Sequence, residues 1–467
     1  MMKKKCTRLT AVLLTAVLCL FVFAVPAGAV RNFYLRGDMN NDGKVSTDDA
    51  RIALRYAVYL ENDSDIIALC GDEYEYLYAM DMDRDNVLGV ADARLILRSA
   101  VGLDSVDTLP YSYDKEAVDA ICSKYGAYGV QAAVIRNGKV ISTYNYGVAD
   151  QSTGRKIADN TKFRVASLSK LVTFATCMAL VDRGYLDINT DISKYLGFTV
   201  RNPYSAYSDI PITLRMLMAH CSSIVDGGSF YDSMAGGSSY SLQYLLSGYD
   251  NFMNAKPGTR TEYSNFAAAL VGCICELVTG RPFESLAQEY VIDPLGLDTG
   301  FVASSLQDKT FAYLYEGGYL AYGNNSYNNS KYNSTLGQTV HIVQGGLRIT
   351  ASDYAKVLCM LLNGGLAPDG TRVLSQASVN EMLCDQYVDE AETIGFATYI
   401  IRSLYPGMTH YTHTGSAYGF HGAYAMDKDY RNGVVIFSSG CARSLDEDTA
   451  IYNICQAIIY ELMPEFE

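Results

Sequence analysis

Positive charge is scarce in this chain: 37 lysines and arginines stand against 51 aspartates and glutamates in 467 residues, a formal net charge of −14. Phosphate backbones are bound by clustered Lys and Arg, so the composition excludes a nucleic-acid partner, and anionic surfaces are expected to repel the protein. Also missing is any Cys-x-x-Cys pair among the 12 cysteines, which removes the close ligand spacing of a structural zinc site. Beyond the N-terminus no uninterrupted apolar run reaches the roughly 18 residues that a membrane-spanning helix needs. Charged residues make up 19% and hydrophobic ones 49%, a globular balance in which disorder is not the default. The length allows two or three domains.

What is present begins with MMKKKCTRLTAVLLTAVLCLFVFAVPAGAV: Lys3 to Lys5, an apolar run, then Ala27-Gly28-Ala29. Basic start, apolar middle and small-residue end are the parts of an export signal, read here as residues 1–29, so the mature chain is expected to be secreted and not to span a membrane. Cys19 follows Leu18 instead of a small residue, which argues against a lipoprotein site. Cys6 and Cys19 leave with the signal. Of the rest, Cys177, Cys273, Cys275, Cys359 and Cys455 fall in apolar helical runs and read as buried thiols, with room for one or two disulfides.

The chain then repeats itself. DMNNDGKVSTDDARIALRYAVYLE from Asp38 and DMDRDNVLGVADARLILRSAVGLD from Asp81 align without a gap at an offset of 43 residues. Each opens with a 12-residue loop carrying side-chain oxygens at positions 1, 3, 5 and 12: Asp38, Asn40, Asp42 and Asp49, then Asp81, Asp83, Asp85 and Asp92. Backbone carbonyls of Lys44 and Val87 supply position 7. This is the ligand pattern of a Ca²⁺ loop, and two sites are expected. Gly43 fills the sharp turn in the first loop; Asn86, which tolerates a left-handed backbone, replaces it in the second. Each loop runs into a helix with none before it, unlike an EF-hand. The duplicated unit, residues 37–104, resembles a dockerin, the module that docks enzymes onto the cohesin domains of a scaffoldin in a cellulosome. Arg51 and Arg55 recur as Arg94 and Arg98, four apart on one helical face, and are either a solvated face or a cohesin contact. Thr47-Asp48 is replaced by Val90-Ala91, so the halves are not expected to bind interchangeably.

A stretch punctuated by Pro110 reads as a linker, residues 105–113, and 114–467 as the main domain. There, GVQAAVIRNGKVISTYNYGVAD gives two strands joined at Asn137-Gly138, a strong hairpin signal. THYTHTGSAYGF, HGAYAMDKDY and NGVVIFSS give strands near the other end, followed by a helix near Asp446 to Leu462. Between them the periodicity is mostly helical. The pattern predicts an α/β domain: a sheet built from both ends of the segment around a helical insert. YLYEGGYLAYGNNSYNNSKYNSTLG, rich in Tyr, Asn and Gly, reads as a long loop.

In FRVASLSKLVTFATCMALVDRG, residues 163–184, Ser167 and Lys170 head an apolar helix and share a face at spacing i, i+3. A second Ser-x-x-Lys, at Ser112 and Lys115, lies in the linker and is read as having no helix behind it. Tyr263-Ser264-Asn265 follows the turn Pro257-Gly258 and precedes another apolar helix. His413-Thr414-Gly415 lies in an alternating strand, with Ser416 next. In this order the three elements resemble the serine β-lactamase and penicillin-binding family, nearest to class C lactamases, D-alanyl-D-alanine carboxypeptidases and related esterases. DRGYLDINTDISKYLG, TLRMLMAHCSSI, PGTRTEYSNFAAALVG and GGLRITASDYAKVLCMLLNGG look like the family's framing segments, and the likeness spans residues 129–440.

The resemblance implies that Ser167 attacks a carbonyl and forms an acyl-enzyme. Lys170 and Tyr263 are implied to manage its proton, either being the base, with Tyr263 needing a pKa lowered by nearby positive charge. Asn265 is implied to hydrogen-bond the substrate, His413, Thr414 and Gly415 to line its binding edge, and the backbone N–H groups of Ser167 and Ser416 to form an oxyanion hole. No cofactor is implied for catalysis. His413 stands where class C lactamases usually have Lys, and a neutral imidazole attracts a carboxylate less than an ammonium does. Ser223 stands where the family usually has Gly. His220 reads as structural. The sequence thus predicts an exported, cellulosome-docked serine hydrolase acting on a small peptide, a β-lactam or an ester: a carboxypeptidase or an esterase. The competing reading is a non-catalytic scaffold subunit using the same fold.

Overall fold

The computed structural model describes residues 37–40, 44–62, 64–65, 80, 82, 88–103, 113–234, 240–323, 326, 335–338, 342–388, 393–405, 408–429 and 431–463. The expected export signal, most of the linker with Ser112, Asp42 of the first loop, and Asp81, Asp83, Asp85 and Val87 of the second lie outside these residues. The chain divides into two compact units, Met1–Val106 and Asp107–Glu467.

In the first unit, helices α1 (Thr47–Ala57) and α2 (Val90–Ala100) follow the two loops. The carboxylate at loop position 12 does the same work in both halves. Asp49 accepts hydrogen bonds from the Met39 N–H (2.8 Å) and the Ser46 N–H (2.7 Å), and Asp92 from the Met82 N–H (2.7 Å) and the Gly89 N–H (2.8 Å). Each thereby ties the loop's first residues to the helix start. Ala50, Ile52 and Ala53 of α1 and Ala93 and Ile96 of α2 are buried. Leu54, Val58 and Leu60 remain exposed, and so do Leu97, Val101 and Leu103, their counterparts at the same offset of 43.

The second unit opens with α3 (Lys115–Lys124), capped by Asp114, whose carboxylate accepts the Ala117 N–H at 3.0 Å. The second Ser-x-x-Lys therefore does have a helix behind it, against the expectation. What separates it from the first is burial: Lys115 is exposed and paired with Asp119 at 2.7 Å, whereas Lys170 is inaccessible. Strands β1 (Gly129–Arg136) and β2 (Lys139–Asp150) form the predicted hairpin. Asn137 and Gly138 have φ of 50° and 72°, the left-handed pair that a two-residue turn matched to strand twist requires.

Those strands join β3 (Arg155–Lys156), β4 (Tyr387–Val388), β5 (Thr393–Gly395), β6 (Thr398–Ile401), β7 (His410–Ala417), β8 (Phe420–Asp427) and β9 (Asn432–Ser439) in a nine-stranded sheet, order β3-β2-β1-β9-β8-β7-β6-β5-β4. Its central ladder is β1 against β9, antiparallel from Gly129↔Ser439 to Ile135↔Gly433. The expected sheet from both ends is thus the sheet observed. The insert contributes α4 (Ser169–Asp182) and α5 (Asn265–Thr279), which pack together, and α6 (Ala351–Leu362), which packs on β1 and β9. Tyr354 of α6 meets Phe437 of β9 with ring centroids 5.9 Å apart. Residues alternate across a strand, and on the other face α7 (Asn453–Leu462) brings Cys455 to the His421 carbonyl at 3.8 Å.

The last helix starts at Asn453, not near Asp446. The Asp446 carboxylate accepts the N–H groups of Asp448 (3.1 Å) and Thr449 (3.0 Å), and such local bonds compete with helix formation. The tyrosine-rich segment is not all loop: it opens as a short hairpin, Leu314–Glu316 against Tyr319–Tyr322, turning at Gly317-Gly318 with φ of 58° and 87°. The described cysteines are all free thiols, so the disulfides allowed by the sequence do not occur among them. Among the described residues no single helix is long and apolar enough to cross a membrane. Cys384 is the exposed thiol of the described set. A small alkylating reagent is expected to label it in the native chain before the buried ones, which peptide mapping by mass spectrometry checks.

Candidate active site

Every residue of α4 from Ser169 to Leu180 is buried, so this helix lies in the core and its N-terminal end is fixed from several directions. A 3-10 turn, Ala166–Leu168, leads into it. Ala166 has φ of 47°, a backbone conformation that costs a non-glycine residue about 1–3 kcal/mol and persists where surrounding structure enforces it. The enforcing contacts are visible: the Val165 N–H donates to the Leu347 carbonyl (3.0 Å), the Ser169 hydroxyl to the Ala166 carbonyl (2.6 Å), and the Tyr354 hydroxyl to the Leu168 carbonyl (2.9 Å). Ser167, half-buried, projects from this turn.

The Lys170 amine donates to Ser167 Oγ at 3.2 Å, to Asn265 Oδ1 at 2.8 Å and to the Gln344 carbonyl at 2.9 Å. It also lies 4.9 Å from the Tyr263 ring centroid. Burial lowers its pKa to about 7, partly opposed by the negative charge of Asp226. Near neutral pH the amine is therefore divided between ammonium and free base, and the free base can accept the Ser167 proton.

For Tyr263, burial works against the lowered pKa that a base would need. Its hydroxyl is buried and approaches Ser167 without closing a hydrogen bond of good geometry. Burial raises its pKa, with the bond toward Ser167 a smaller opposing influence. Tyr263 is thus a neutral phenol, able to pass a proton but not poised as a phenolate.

Asn265 opens α5, which Ser264 caps by accepting the Ala267 N–H at 2.9 Å. Both ends of the Asn265 amide are engaged: Oδ1 by Lys170, Nδ2 by Asp226 Oδ2 at 2.8 Å. The loop from His220 to Asp226 forms the bed of this element. His220 Nδ1 accepts the Ser264 N–H at 3.1 Å and its ring lies 4.5 Å from that of Tyr263; burial pushes its pKa well below the ordinary value. Ser223 holds φ of 67°, the left-handed position that glycine takes freely, with its hydroxyl bonded by Asn202 Nδ2 at 2.9 Å.

On β7, His413 is buried with Nδ1 2.7 Å from the Thr414 carbonyl. Burial, and then the Lys170 charge, lower its pKa to about 4, so it is neutral. With Nδ1 donating to that carbonyl, Nε2 is an acceptor, and among the described residues it has no partner. Gly415 is required by close approach: a Cβ there would stand 2.6 Å from the Val165 carbonyl oxygen. β6 pairs with β7 only as far as Tyr399↔Thr412, so that among the described residues 413–417 have no strand partner on that side, with Ser416 exposed at the end. Cavities border both ends of this arrangement: one of about 420 Å³ touching Asp226, Tyr263 and Asn265, another of about 670 Å³ touching Tyr399, His413 and Thr414. Among the described residues no three His, Cys, Asp or Glu side chains are grouped to hold a metal.

The structure therefore brings Ser167, Lys170, Tyr263, Asn265 and His413 into one cluster, with the strand carrying Thr414, Gly415 and Ser416 against it. Sequence reasoning missed Asp226 and Gln344. Asp226 precedes Gly227-Gly228 and reads as turn chemistry; Gln344 acts through its carbonyl, which no side-chain pattern can announce.

If Lys170 takes the Ser167 proton as a free base, acylation of Ser167 by a small activated ester is expected to rise with pH through an apparent pKa of about 7. Tyr263→Phe is expected to slow the reaction by roughly 10²-fold while leaving that limb in place. Stopped-flow acylation across pH 5–9 checks both; a limb that vanishes with Tyr263 would reassign the base.

The chain is 26% identical over 269 residues to penicillin-binding protein 4 of Amycolatopsis lactamdurans, covering 57% of this chain and 68% of that one. It is 29% identical over 205 residues to the esterase EstB of Burkholderia gladioli, covering 41% and 50%. Among solved structures, the D-amino acid amidase of Ochrobactrum anthropi SV3 complexed with D-phenylalanine superposes with a TM-score of 0.56 at 20% identity, covering 75% of this chain and 98% of that one. The octameric penicillin-binding protein homologue of Pyrococcus abyssi gives a TM-score of 0.59 at 20% identity, covering 75% and 78%. Both structures are likenesses of fold. With the profile of the family described as Beta-lactamase matching residues 114–457, the chain belongs to that family of serine hydrolases and penicillin-binding proteins.

Proposed function

We propose that the main unit is a hydrolase that cleaves a small ester or amide through an acyl-enzyme on Ser167, with Lys170 as the base. The observation that carries this is the buried Lys170 amine, 3.2 Å from Ser167 Oγ with its pKa lowered to about 7. Lys170 takes the serine proton as Ser167 attacks the carbonyl. Tyr263, neutral beside both, relays a proton to the leaving group, and the Ser167 and Ser416 N–H groups receive the oxyanion. Water then attacks the acyl-enzyme; Lys170 accepts its proton and returns it to Ser167 Oγ as the bond to the acyl group breaks and the acid departs.

Neutral His413 favours an uncharged leaving group over one bearing a carboxylate, and with it an esterase or amidase over a carboxypeptidase or β-lactamase. An exported chain with a calcium-loaded dockerin completes the reading. Duplicated position-12 carboxylates and the repeated exposed set Leu54/Leu97, Val58/Val101 and Leu60/Leu103 support a docking face for a cohesin. The plant-wall context that a dockerin implies favours the ester.

Ser167→Ala is expected to abolish mass labelling by both a penicillin and an activated ester. Lys170→Ala is expected to cost at least about 10³-fold, since residues acting as one unit are strongly non-additive. His413→Lys is expected to shift preference toward carboxylate-bearing substrates by about 1–2 kcal/mol. Full esterase turnover in Ser167→Ala, or label on another serine, would remove the assignment and leave the non-catalytic alternative.

Calcium added to the full chain is expected to raise helix content, because a ligand bound only by the folded state stabilises it. Replacing Asp38 and Asp81 together by Ala is expected to abolish capture by a cohesin and leave ester turnover unchanged. Circular dichroism and cohesin pull-down read the two effects, and insensitivity to chelation would reject the two-site reading.

A further inference from the structure

Asp226 sits behind the cluster without touching Ser167, yet its carboxylate is used from several directions. Oδ1 accepts the Phe266 N–H at 2.8 Å and the Ser264 hydroxyl at 3.1 Å; Oδ2 accepts Asn265 Nδ2 at 2.8 Å. The first two fix the opening turn of α5, where an anion also suits the positive end of the helix dipole. The third settles which way the Asn265 amide points. A carboxylate only accepts and an ammonium only donates. With Asp226 on one side and Lys170 on the other, the amide nitrogen must face Asp226 and its oxygen must face Lys170. The reversed amide would set donor against donor and acceptor against acceptor.

We infer that Asp226 is a positioning residue for the catalytic lysine: it locks Asn265 with its carbonyl toward Lys170 and keeps a negative charge behind that contact. This rests on the reading of Lys170 as the base.

The surroundings single out this charge. The titratable groups facing Lys170 are Tyr263 before α5, His220 on the bed loop, His413 on β7 and Asp226 itself. Burial keeps the tyrosine protonated and both histidines unprotonated near neutral pH. Among the described residues, Asp226 is therefore the charged neighbour acting on the amine. On its other side it opens onto the cavity lined by Tyr231, Arg260 and Glu262. Without Asp226 the free-base form gains, but Asn265 loses the partner that orients it. The amine is then a weaker base held less firmly against Ser167.

The test is the pH dependence of kcat/KM with an activated ester on the full chain. Asp226→Asn is expected to move the acidic limb to lower pH and to lower the plateau about 10- to 100-fold, the scale on which small misplacements of catalytic groups act. Asp226→Glu, which keeps the charge, is expected to return the limb to its wild-type position even where the plateau stays reduced. Ser264→Ala removes a hydrogen bond to the same carboxylate without altering charge; it is expected to lower the melting temperature and leave the limb unmoved. If Asp226→Asn does not fold, Asp226→Ser, whose hydroxyl can still accept the Phe266 N–H, carries the same expectation. A limb unmoved in the charge-neutral variant overturns this inference alone. A wild-type profile with no limb near pH 7 overturns the Lys170 assignment, and this inference with it.

Discussion

Burying an amine is the constraint on which the rest of the main unit depends. Taking Lys170 from its ordinary pKa to about 7 corresponds to roughly 5 kcal/mol against the ammonium, and the loss would be larger without acceptors. Those acceptors come from three separate stretches: the turn at Ser167, the start of α5 at Asn265, and the carbonyl of Gln344. Each must be delivered to one point by its own support. The core position of α4 follows from this. A helix exposed on one side would let water solvate the amine and return its pKa toward the usual value, and the amine would then be protonated at neutral pH.

Backbone strain collects around the same point. Ala166, His220 and Ser223 all have positive φ, and each is held by hydrogen bonds: Ala166 by the Ser169 hydroxyl in its own turn, His220 by the Glu262 and Ser264 N–H groups, Ser223 by Asn202 and the Met253 N–H. At about 1–3 kcal/mol apiece, such conformations need a rigid frame. The frame is the antiparallel sheet covered on both faces, with Gly415 allowing β7 to lie directly on the turn that carries Ser167. The sheet thus stabilises the unit and also sets the distance between the strand edge and Ser167.

Much of this was legible in the sequence. Ser167 with Lys170, Tyr263 with Asn265, and His413 to Ser416 carry their chemistry in side chains at short spacing. The hairpin at Asn137-Gly138 and the apolar runs place them on strands and helices. What was not legible depends on tertiary position. Burial raises the pKa of Tyr263, opposite to the direction a nearby cation would give, and burial is invisible in a tripeptide. Asp226 was hidden in a turn-like Asp-Gly-Gly, and the helix boundary near Asp446 was displaced by a local side-chain bond. The helix after Lys115 shows why a motif needs its surroundings: Ser-x-x-Lys occurs twice before a helix, and only one lysine is buried.

The charge balance of the cluster bears on which substrates suit it. At rest, with Lys170 as free base, the cluster carries the negative charge of Asp226, while His220, His413 and Tyr263 contribute none. On the proposed chemistry, Lys170 gains the serine proton as the oxyanion develops. A cation then forms between two anions, one permanent and one transient, with little charge left to separate in a poorly solvated space. A substrate bringing its own carboxylate would add a further negative charge to a cluster whose strand-side residue is a neutral acceptor. The transient ammonium would be divided between that carboxylate and the oxyanion it is needed for. An uncharged ester or amide makes no such demand, and a donor on its leaving side could meet the unpartnered Nε2 of His413.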